Sequence, residues 1–297
     1  MKIKAGTVAL EVEDTGGSGP AVLLIMGLGM QLTAWPDELV AALADAGYRV
    51  IRHDNRDAGL SQYFDGVRSP GLFSSWLRLQ VGLPLRPPYT LADMAGDVRA
   101  LLDALDVAQA HVVGASMGGM IAQRLALAAP ERVRSLTSLM SSSGARGLPG
   151  PTRRVMRVMM ARPPAHAGDA AVAHYVRLLQ LLAGPDFPRP DAQLRQDAAS
   201  ALARAWHPQG TRRQMLAVAA DTERAHELAR LRVPTLVVHG RDDPLLPLAC
   251  GVDTAQRIPG ARLEVVDGMG HDLPPALVPV LAPLLLQHFE RSGGSAP

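Results

Sequence analysis

The sequence predicts an α/β fold built around a mainly parallel sheet, with a helical insertion. Strand-like segments alternate with helix-like segments along most of the chain, which is the pattern of a parallel sheet covered by helices. With 297 residues and 47% hydrophobic content, the chain is long enough for one large core. We therefore expect a core formed by residues 1–140 and 231–297, interrupted by a helical cap, or lid, at 141–230.

The N-terminal part of the chain supplies the first elements of this pattern. Residues 2–13 alternate apolar and polar side chains, which predicts an antiparallel hairpin at a sheet edge. Residues 21–26 form a continuous apolar run, as expected of a central strand covered on both faces. Thr90 opens a predicted helix, with Asp93 at the capping-box spacing. This part also contains a predicted helix at 34–45, a strand at 48–52, and a long connection at 61–89 with an apolar patch at Leu72, Phe73, Trp76, Leu77 and Leu79.

The most specific local feature is the segment Gly114-Ala115-Ser116-Met117-Gly118, which lies between an apolar β-branched run and a helix-forming run. Glycines on both sides of Ser116 permit a sharp strand-to-helix turn that lifts the serine hydroxyl clear of the sheet. The turn also places the hydroxyl at a helix N-terminus, where free N–H groups favour negative charge. A serine that merely caps the helix is the simpler alternative. The flanking strand and helix favour the nucleophile elbow of an acyl-transfer enzyme.

The later part of the chain changes character twice. Residues 141–230 read as helical segments interrupted by proline and glycine, without convincing strands. In that insertion, Met156–Met160, Tyr175 and Leu178–Leu182 are candidates to face a substrate, although apolar residues at helical spacing are more typical of a core. The remaining predicted elements are strands at 133–140, 233–238 and 262–266, a helix at 275–290, and a disordered tail at 292–297.

A serine nucleophile needs a base and an acid that orients the base, and in this arrangement the acid precedes the histidine along the chain. Two adjacent acids, Asp242 and Asp243, follow the next-to-last predicted strand. We favour Asp243, because Pro244 fixes the turn directly after it, and we interpret Asp242 as a solvated turn acid. His271 lies in a glycine-rich loop after the last strand and is the predicted base. His239 is expected to order the backbone around the acid.

Acyl transfer also requires backbone N–H donors for the negative charge that develops on the carbonyl oxygen. One donor is predicted to be the amide of Met117, directly after the nucleophile. The second is predicted to be the amide of Leu28, in the loop Gly27-Leu28-Gly29-Met30. The glycines of that loop let the backbone approach a ligand closely. A plain strand-to-helix turn is the alternative interpretation of the same loop.

Charge and cysteine content argue against several other classes of protein. The formal net charge is +2, and the charged residues are scattered, so nucleic-acid binding is not expected. The single cysteine, Cys250, excludes an intramolecular disulfide and is expected to be a small buried helix residue. The N-terminus lacks an apolar signal segment, and no apolar stretch reaches the roughly 18 residues that span a bilayer. We therefore expect a cytoplasmic protein with a small-molecule substrate and no membrane partner.

From about residue 20 to residue 275, these motifs together resemble the α/β-hydrolase fold family. The resemblance rests on Met26–Gly29, Asp54–Ser61, Gly114–Gly118, His239–Pro244 and Gly270-His271. It implies an eight-stranded sheet with a helical cap and no metal or organic cofactor. The chain departs from the common family pattern at Met26, where many members have histidine, and at Asp57, where many have glycine. Both departures look like a subgroup that includes aclacinomycin-methylesterase-like hydrolases.

The leading functional hypothesis is a serine hydrolase that cleaves a carboxylic ester or lactone through an acyl-enzyme on Ser116. C–C bond hydrolysis and cofactor-free perhydrolysis of the haloperoxidase type use the same three side chains and stay open as alternatives. Dehalogenase and epoxide-hydrolase chemistry is disfavoured, because the relatives with those activities carry an aspartate where Ser116 stands. A non-catalytic small-ligand-binding protein of the same fold is a further alternative, since fold alone does not fix function.

Overall fold

Eight strands form one continuous sheet in the computed structural model. In chain order they are β1 (Lys2–Ala5), β2 (Val8–Asp14), β3 (Ala21–Ile25), β4 (Arg49–His53), β5 (Ala110–Ala115), β6 (Val133–Leu139), β7 (Thr235–Gly240) and β8 (Arg262–Val266). Their spatial order is β1-β2-β4-β3-β5-β6-β7-β8. The β1–β2 and β2–β4 pairs are antiparallel, and all the other pairs are parallel. A mainly parallel sheet of eight strands, with an N-terminal hairpin at one edge, is thus confirmed.

Helices cover both faces of this sheet. Within the described residues they are α1 (Asp37–Asp45), α2 (Leu91–Ala104), α3 (Met117–Ala128), α4 (Arg153–Met160), α5 (Asp169–Leu182), α6 (Asp191–Arg204), α7 (Pro208–Ala220), α8 (Arg224–Glu227), α9 (Leu248–Arg257) and α10 (Val278–Gly293). Helices α2 and α3 pack on one face, whereas α1 and α10 pack on the other. Helices α4 to α8 all belong to the segment between β6 and β7.

The central strand β3 shows why its sequence is apolar at every position. Val22 and Leu24 pack with α1 and α10, while Leu23 and Ile25 pack with α2 and α3. All four side chains are fully buried. Successive strand residues point to opposite faces, so a strand covered on both sides needs a continuous apolar run. Each such burial stabilises the fold by about 2 kcal/mol.

Element boundaries follow proline and capping chemistry. The strand predicted at 233–238 runs instead over Thr235–Gly240, because Pro234 has no N–H to give to the ladder. The predicted capping box is confirmed. The Thr90 hydroxyl accepts the Asp93 N–H at 3.1 Å, and the Asp93 carboxylate accepts the Thr90 N–H at 2.7 Å. Helix α2 therefore begins where the sequence predicts.

The structure describes residues 1–71, 78, 83–161, 164 and 166–293. The apolar patch predicted between Leu72 and Leu79 lies outside the described residues. The tail prediction is wrong at its start, because Ser292 and Gly293 still belong to α10. The Ser292 hydroxyl donates a hydrogen bond to the backbone oxygen of His288 at 2.7 Å, which continues the last helical turn. Residues 294–297 of the predicted tail lie outside the described part of the chain.

Cys250 is a buried free cysteine in α9, as predicted. Across the described ranges, none of the helices combines the length and the apolar character needed to cross a membrane. In the same part of the chain, no group of three or more His, Cys, Asp or Glu side chains is arranged to hold a metal ion.

The buried histidine on β5 makes the stability of the fold sensitive to acid. Burial lowers the pKa of His111 to about 4 from an ordinary value of 6.5, and Ser135 hydrogen-bonds its Nδ1 at 2.8 Å. The unfolded chain takes up this proton at the higher pH, so protonation favours unfolding. The stability that the neutral His111 side chain contributes is therefore complete above pH 6.5. As the pH falls towards 4, the free energy of unfolding decreases by about 3 kcal/mol.

Urea unfolding of the wild type and of His111→Asn between pH 7 and pH 4 checks this expectation. An asparagine keeps a hydrogen bond for Ser135 but does not titrate. The variant should lose less stability on acidification than the wild type, and equal acid losses would contradict this role for His111.

Candidate active site

The turn between β5 and α3 holds Ser116 in an unusual backbone conformation. Its φ is 55° and its ψ is −119°, in a region that residues other than glycine rarely adopt. Hydrogen bonds to β6 and to the segment that follows it help to hold the strained residue. The Ser116 N–H donates to the Leu139 oxygen at 2.9 Å, and the Ser141 hydroxyl donates to the Ser116 oxygen at 2.7 Å. Strain that the surroundings hold in this way is typical of functional sites and costs about 1–3 kcal/mol.

The two glycines of the turn are required by sterics. A Cβ added at Gly114 would lie 2.2 Å from the backbone oxygen of Gly118. A Cβ at Gly118 would lie 2.0 Å from the backbone oxygen of Ile25, on the neighbouring strand. Neither distance can hold a methyl group, so both positions need glycine for this sharp turn.

The structure brings the three side chains predicted for catalysis into one hydrogen-bonded chain. The Ser116 hydroxyl lies 2.9 Å from His271 Nε2, and His271 Nδ1 lies 2.6 Å from Asp243 Oδ2. These residues follow β5, β8 and β7 at the carboxyl-end edge of the sheet, where ligands bind in open α/β folds. With Nδ1–H donating to the carboxylate, Nε2 is free to accept the proton of the serine hydroxyl. This geometry suits general-base activation of a hydroxyl nucleophile.

The two adjacent acids have different surroundings. Asp243 is 5% exposed, and its Oδ1 accepts the N–H groups of Leu245 and Leu246 at 2.9 and 2.8 Å. Its second oxygen is therefore directed to the histidine. Asp242 is exposed, and its carboxylate accepts the Gly268 N–H at 3.1 Å. Of the two acids, Asp243 is the one that contacts His271.

A second histidine supports the acid. His239 is fully buried, and its Nε2–H donates to the backbone oxygen of Leu246 at 2.7 Å, closing the turn that presents Asp243. Its Nε2 lies 3.5 Å from Asp243 Oδ2. Burial lowers the pKa of His239, which keeps the ring neutral near physiological pH. This neutral ring orders the acid loop, in the position expected from the sequence.

The loop after β3 passes directly beside Ser116. A Cβ at Gly27 would lie 3.0 Å from Ser116 Cβ and 3.5 Å from Ser116 Oγ, so glycine lets the backbone approach. Among the described residues, the N–H groups of Leu28 and Met117 have no protein acceptor. Neither N–H group is therefore used within the described part of the protein.

The segment between β6 and β7 reaches the site at the loop after β8 that carries His271, which we call the histidine loop. The backbone N–H of His271 donates to the backbone oxygen of Leu182, at the end of α5, at 2.7 Å. A Cβ at Gly184 would lie 2.1 Å from the Gly268 oxygen, so the two segments touch through their backbones. Sequence patterns do not reveal this contact, because it joins residues 89 positions apart through main-chain atoms.

The apolar candidates in the insertion separate into two groups. Met156 and Met160 on α4 are 42% and 60% exposed. Tyr175 on α5 reaches the loop after β3, where its hydroxyl donates to the sulfur of Met30 at 3.0 Å. Tyr175 therefore contacts a loop that borders Ser116, whereas Met156 and Met160 are exposed.

Comparison with known proteins agrees with this architecture. A model of the alpha/beta hydrolase fold family matches residues 20–274. The rhodomycin D methylesterase DauP of Streptomyces sp. strain C5 is 33% identical over 95% of both chains. The rhodomycin D methylesterase DnrP of Streptomyces peucetius is 31% identical over the same shares. The crystallised meta-cleavage product hydrolase of Pseudomonas fluorescens IP01 superposes with a TM-score of 0.76 at 21% identity, over 98% of both chains. The chain therefore belongs to the α/β-hydrolase fold family.

Proposed function

We propose that this protein is a serine esterase that cleaves a carboxylic ester of a small, largely apolar substrate. The observation that carries the proposal is the hydrogen-bonded chain from Ser116 through His271 to Asp243, with distances of 2.9 and 2.6 Å. Two relatives that match 95% of the chain are named methylesterases, which supports an ester as the bond that is cleaved.

Acylation begins at the serine hydroxyl. His271 Nε2 takes the proton of Ser116 while Oγ attacks the ester carbonyl carbon. The imidazolium that forms is stabilised by the Asp243 carboxylate at Nδ1. Because Asp243 is itself fixed by two backbone N–H groups, it keeps the ring oriented through the proton transfer.

The tetrahedral intermediate carries a negative oxygen, and we assign its two donors to the Leu28 and Met117 N–H groups. Donors held in place for this charge are worth about 3 kcal/mol each. Collapse of the intermediate breaks the bond to the alcohol, which leaves with the proton from His271. The product of this half-reaction is an acyl group on Ser116 Oγ.

Deacylation repeats these steps with water. His271 Nε2 removes a proton from a water molecule that attacks the acyl carbonyl, and the same two N–H groups stabilise the second intermediate. The proton then returns to Ser116 Oγ as the carboxylic acid leaves. No redox step is required in this cycle.

We further propose that residues 141–230 form a cap on a core of residues 1–140 and 231–297. The described residues of this segment form helices α4 to α8 and no strand. The end of α5 touches the histidine loop, and Tyr175 touches the loop after β3. A cap in this place excludes water from the acyl-enzyme and favours apolar acyl groups.

A substrate panel tests the ester assignment. The panel contains p-nitrophenyl acetate and butyrate, an aromatic methyl ester, an acyl homoserine lactone, a vinylogous 1,5-diketone, and acetate with peroxide and bromide. We expect kcat/KM to be highest for an ester. A higher kcat/KM for the lactone, for the diketone or for peroxide-dependent bromination would contradict the ester assignment. If the protein binds members of the panel but turns over none of them, it is a non-catalytic binding protein.

A further inference from the structure

Three successive residues of the loop after β3 are each held by a different helix of the proposed cap. The Gly29 N–H donates to Gln214 Oε1 on α7 at 2.8 Å. The sulfur of Met30 accepts a hydrogen bond from the Tyr175 hydroxyl of α5 at 3.0 Å. Gln31 Nε2 donates to backbone oxygens at the end of α6, at 2.6 and 3.1 Å. The loop that presents the Leu28 N–H is therefore attached to the cap as well as to the sheet.

Gln214 has the central place in this arrangement. Its side chain is 0% exposed and makes two hydrogen bonds, accepting from the Gly29 N–H and donating from Nε2 to the Arg56 oxygen at 2.8 Å. Thr211, one turn earlier on α7, packs closely against Gly29. A Cβ added at Gly29 would lie 2.7 Å from the Thr211 hydroxyl. Helix α7 thus touches this glycine through two side chains.

The bond to Gln214 acts on the Leu28–Gly29 peptide, which directly follows the peptide that carries the Leu28 N–H. The Met30 N–H donates to the Gly27 oxygen at 3.2 Å, which closes a four-residue turn. Gly29 has a φ of 67°, as the third residue of a type II turn requires. In such a turn the central peptide can flip, and Gln214 accepts the N–H of that peptide. Loss of the hydrogen bond to Gln214 would therefore free this turn, which lies beside Ser116.

An ion pair fixes α7 to the core. Asp57 accepts from Arg213 Nε and Nη2 at 2.7 and 2.8 Å and from the Tyr89 hydroxyl at 2.7 Å. Burial acts to raise the pKa of the Asp57 carboxyl, but the hydrogen bonds from Arg213 and Tyr89 outweigh it and hold that pKa below its usual value. Asp57 has a φ of 66°, where glycine is favoured. The chain therefore accepts backbone strain at Asp57 and gains a buried ion pair next to Gln214.

We propose that Gln214 is a positioning residue for the oxyanion site, held in place by the Asp57–Arg213 pair. The cap then completes the catalytic site as well as covering it, because the Leu28 N–H is correctly aimed only while α7 is docked. This inference rests on the proposed esterase function. Arg213 and Gln214, which follow β3 by more than 180 positions, thereby gain a role at the site.

The test replaces Gln214 with methionine, which has a similar length but no hydrogen-bonding amide. We expect kcat for p-nitrophenyl butyrate to fall about tenfold, with KM changed less than about twofold, because misaimed donors weaken only transition-state binding. Affinity for phenylboronic acid, which forms a tetrahedral anion on the serine, should fall by the same factor. Affinity for butyrate, which forms no such adduct, should be unchanged.

Gln123→Met is the matched control. Gln123 is also 0% exposed and also makes two side-chain hydrogen bonds, with Ser138 and Arg224, away from the loop after β3. This variant should lose a similar amount of thermal stability while keeping kcat and boronic acid affinity. Equal losses of boronic acid affinity in both variants, or none in Gln214→Met, would overturn the positioning role.

Asp57→Asn tests the linkage by a second route and serves if Gln214→Met does not fold. Arg213 keeps Asp65 as a partner at 3.0 Å, so the variant retains a charge near the guanidinium. We expect Asp57→Asn to weaken boronic acid binding about fivefold. The double variant Asp57→Asn/Gln214→Met should lose no more boronic acid affinity than Gln214→Met alone, since both substitutions act through one contact. Unchanged boronic acid binding in Asp57→Asn, or independent losses, would refute the linkage. A wild type without any esterase activity would refute the proposed function instead.

Discussion

Ser116→Ala is expected to lower kcat for p-nitrophenyl butyrate by about 10⁶-fold, because no acyl-enzyme forms without the hydroxyl. The fold should survive the change. The contacts that hold the strained turn use the Ser116 backbone N–H and oxygen, and alanine keeps both. Stopped-flow release of p-nitrophenolate measures the activity, and a thermal unfolding curve measures the stability. A variant that hydrolyses the ester at the wild-type rate would show that another group is the nucleophile.

Asp243→Asn is expected to lower kcat about 10⁴-fold. An asparagine can offer its amide N–H to His271 Nδ1, which then loses the proton that faces the acid. The ring would adopt the tautomer whose Nε2 carries a hydrogen and cannot take the serine proton. Asp242→Asn is the matched control, because it changes the adjacent acid, whose hydrogen bond within the described residues comes from Gly268 and not from His271. The control should keep kcat within about twofold of wild type.

Rates of p-nitrophenyl butyrate hydrolysis for the two aspartate variants decide between the acids. A large loss in Asp242→Asn, with Asp243→Asn near wild type, would reverse the assignment of the orienting acid. Comparable losses in both would indicate that the loop after β7 was disturbed as a whole.

Local sterics explain why the turn that carries Ser116 was predictable. Gly114 and Gly118 are required by contacts with backbone atoms only a few residues away or on the adjacent strand. A motif fixed by such contacts keeps its spacing in any sequence that forms the turn. The apolar run at β3 was predictable for a similar reason, since a strand buried on both faces leaves no position for polar side chains.

The contacts that attach the proposed cap could not be predicted, because they join residues far apart without a repeating spacing. Gln214 and Gly29 are separated by 185 positions, and Arg213 and Asp57 by 156. The sequence singled out Asp57 as a departure from the family pattern, yet the reason for it lies on α7. Any helix can present a glutamine or an arginine, so only the packed structure identifies these two.

Acylation of Ser116, with His271 as its base, is tested by the mass of the enzyme during turnover. Protein mixed with p-nitrophenyl butyrate and quenched in acid within the burst phase should gain the mass of one butyryl group, located on the peptide that contains Ser116. Ser116→Ala and His271→Ala treated in the same way should gain none. An acyl group on a different residue, or rapid hydrolysis by wild type with no acylated protein at any quench time, would contradict the account.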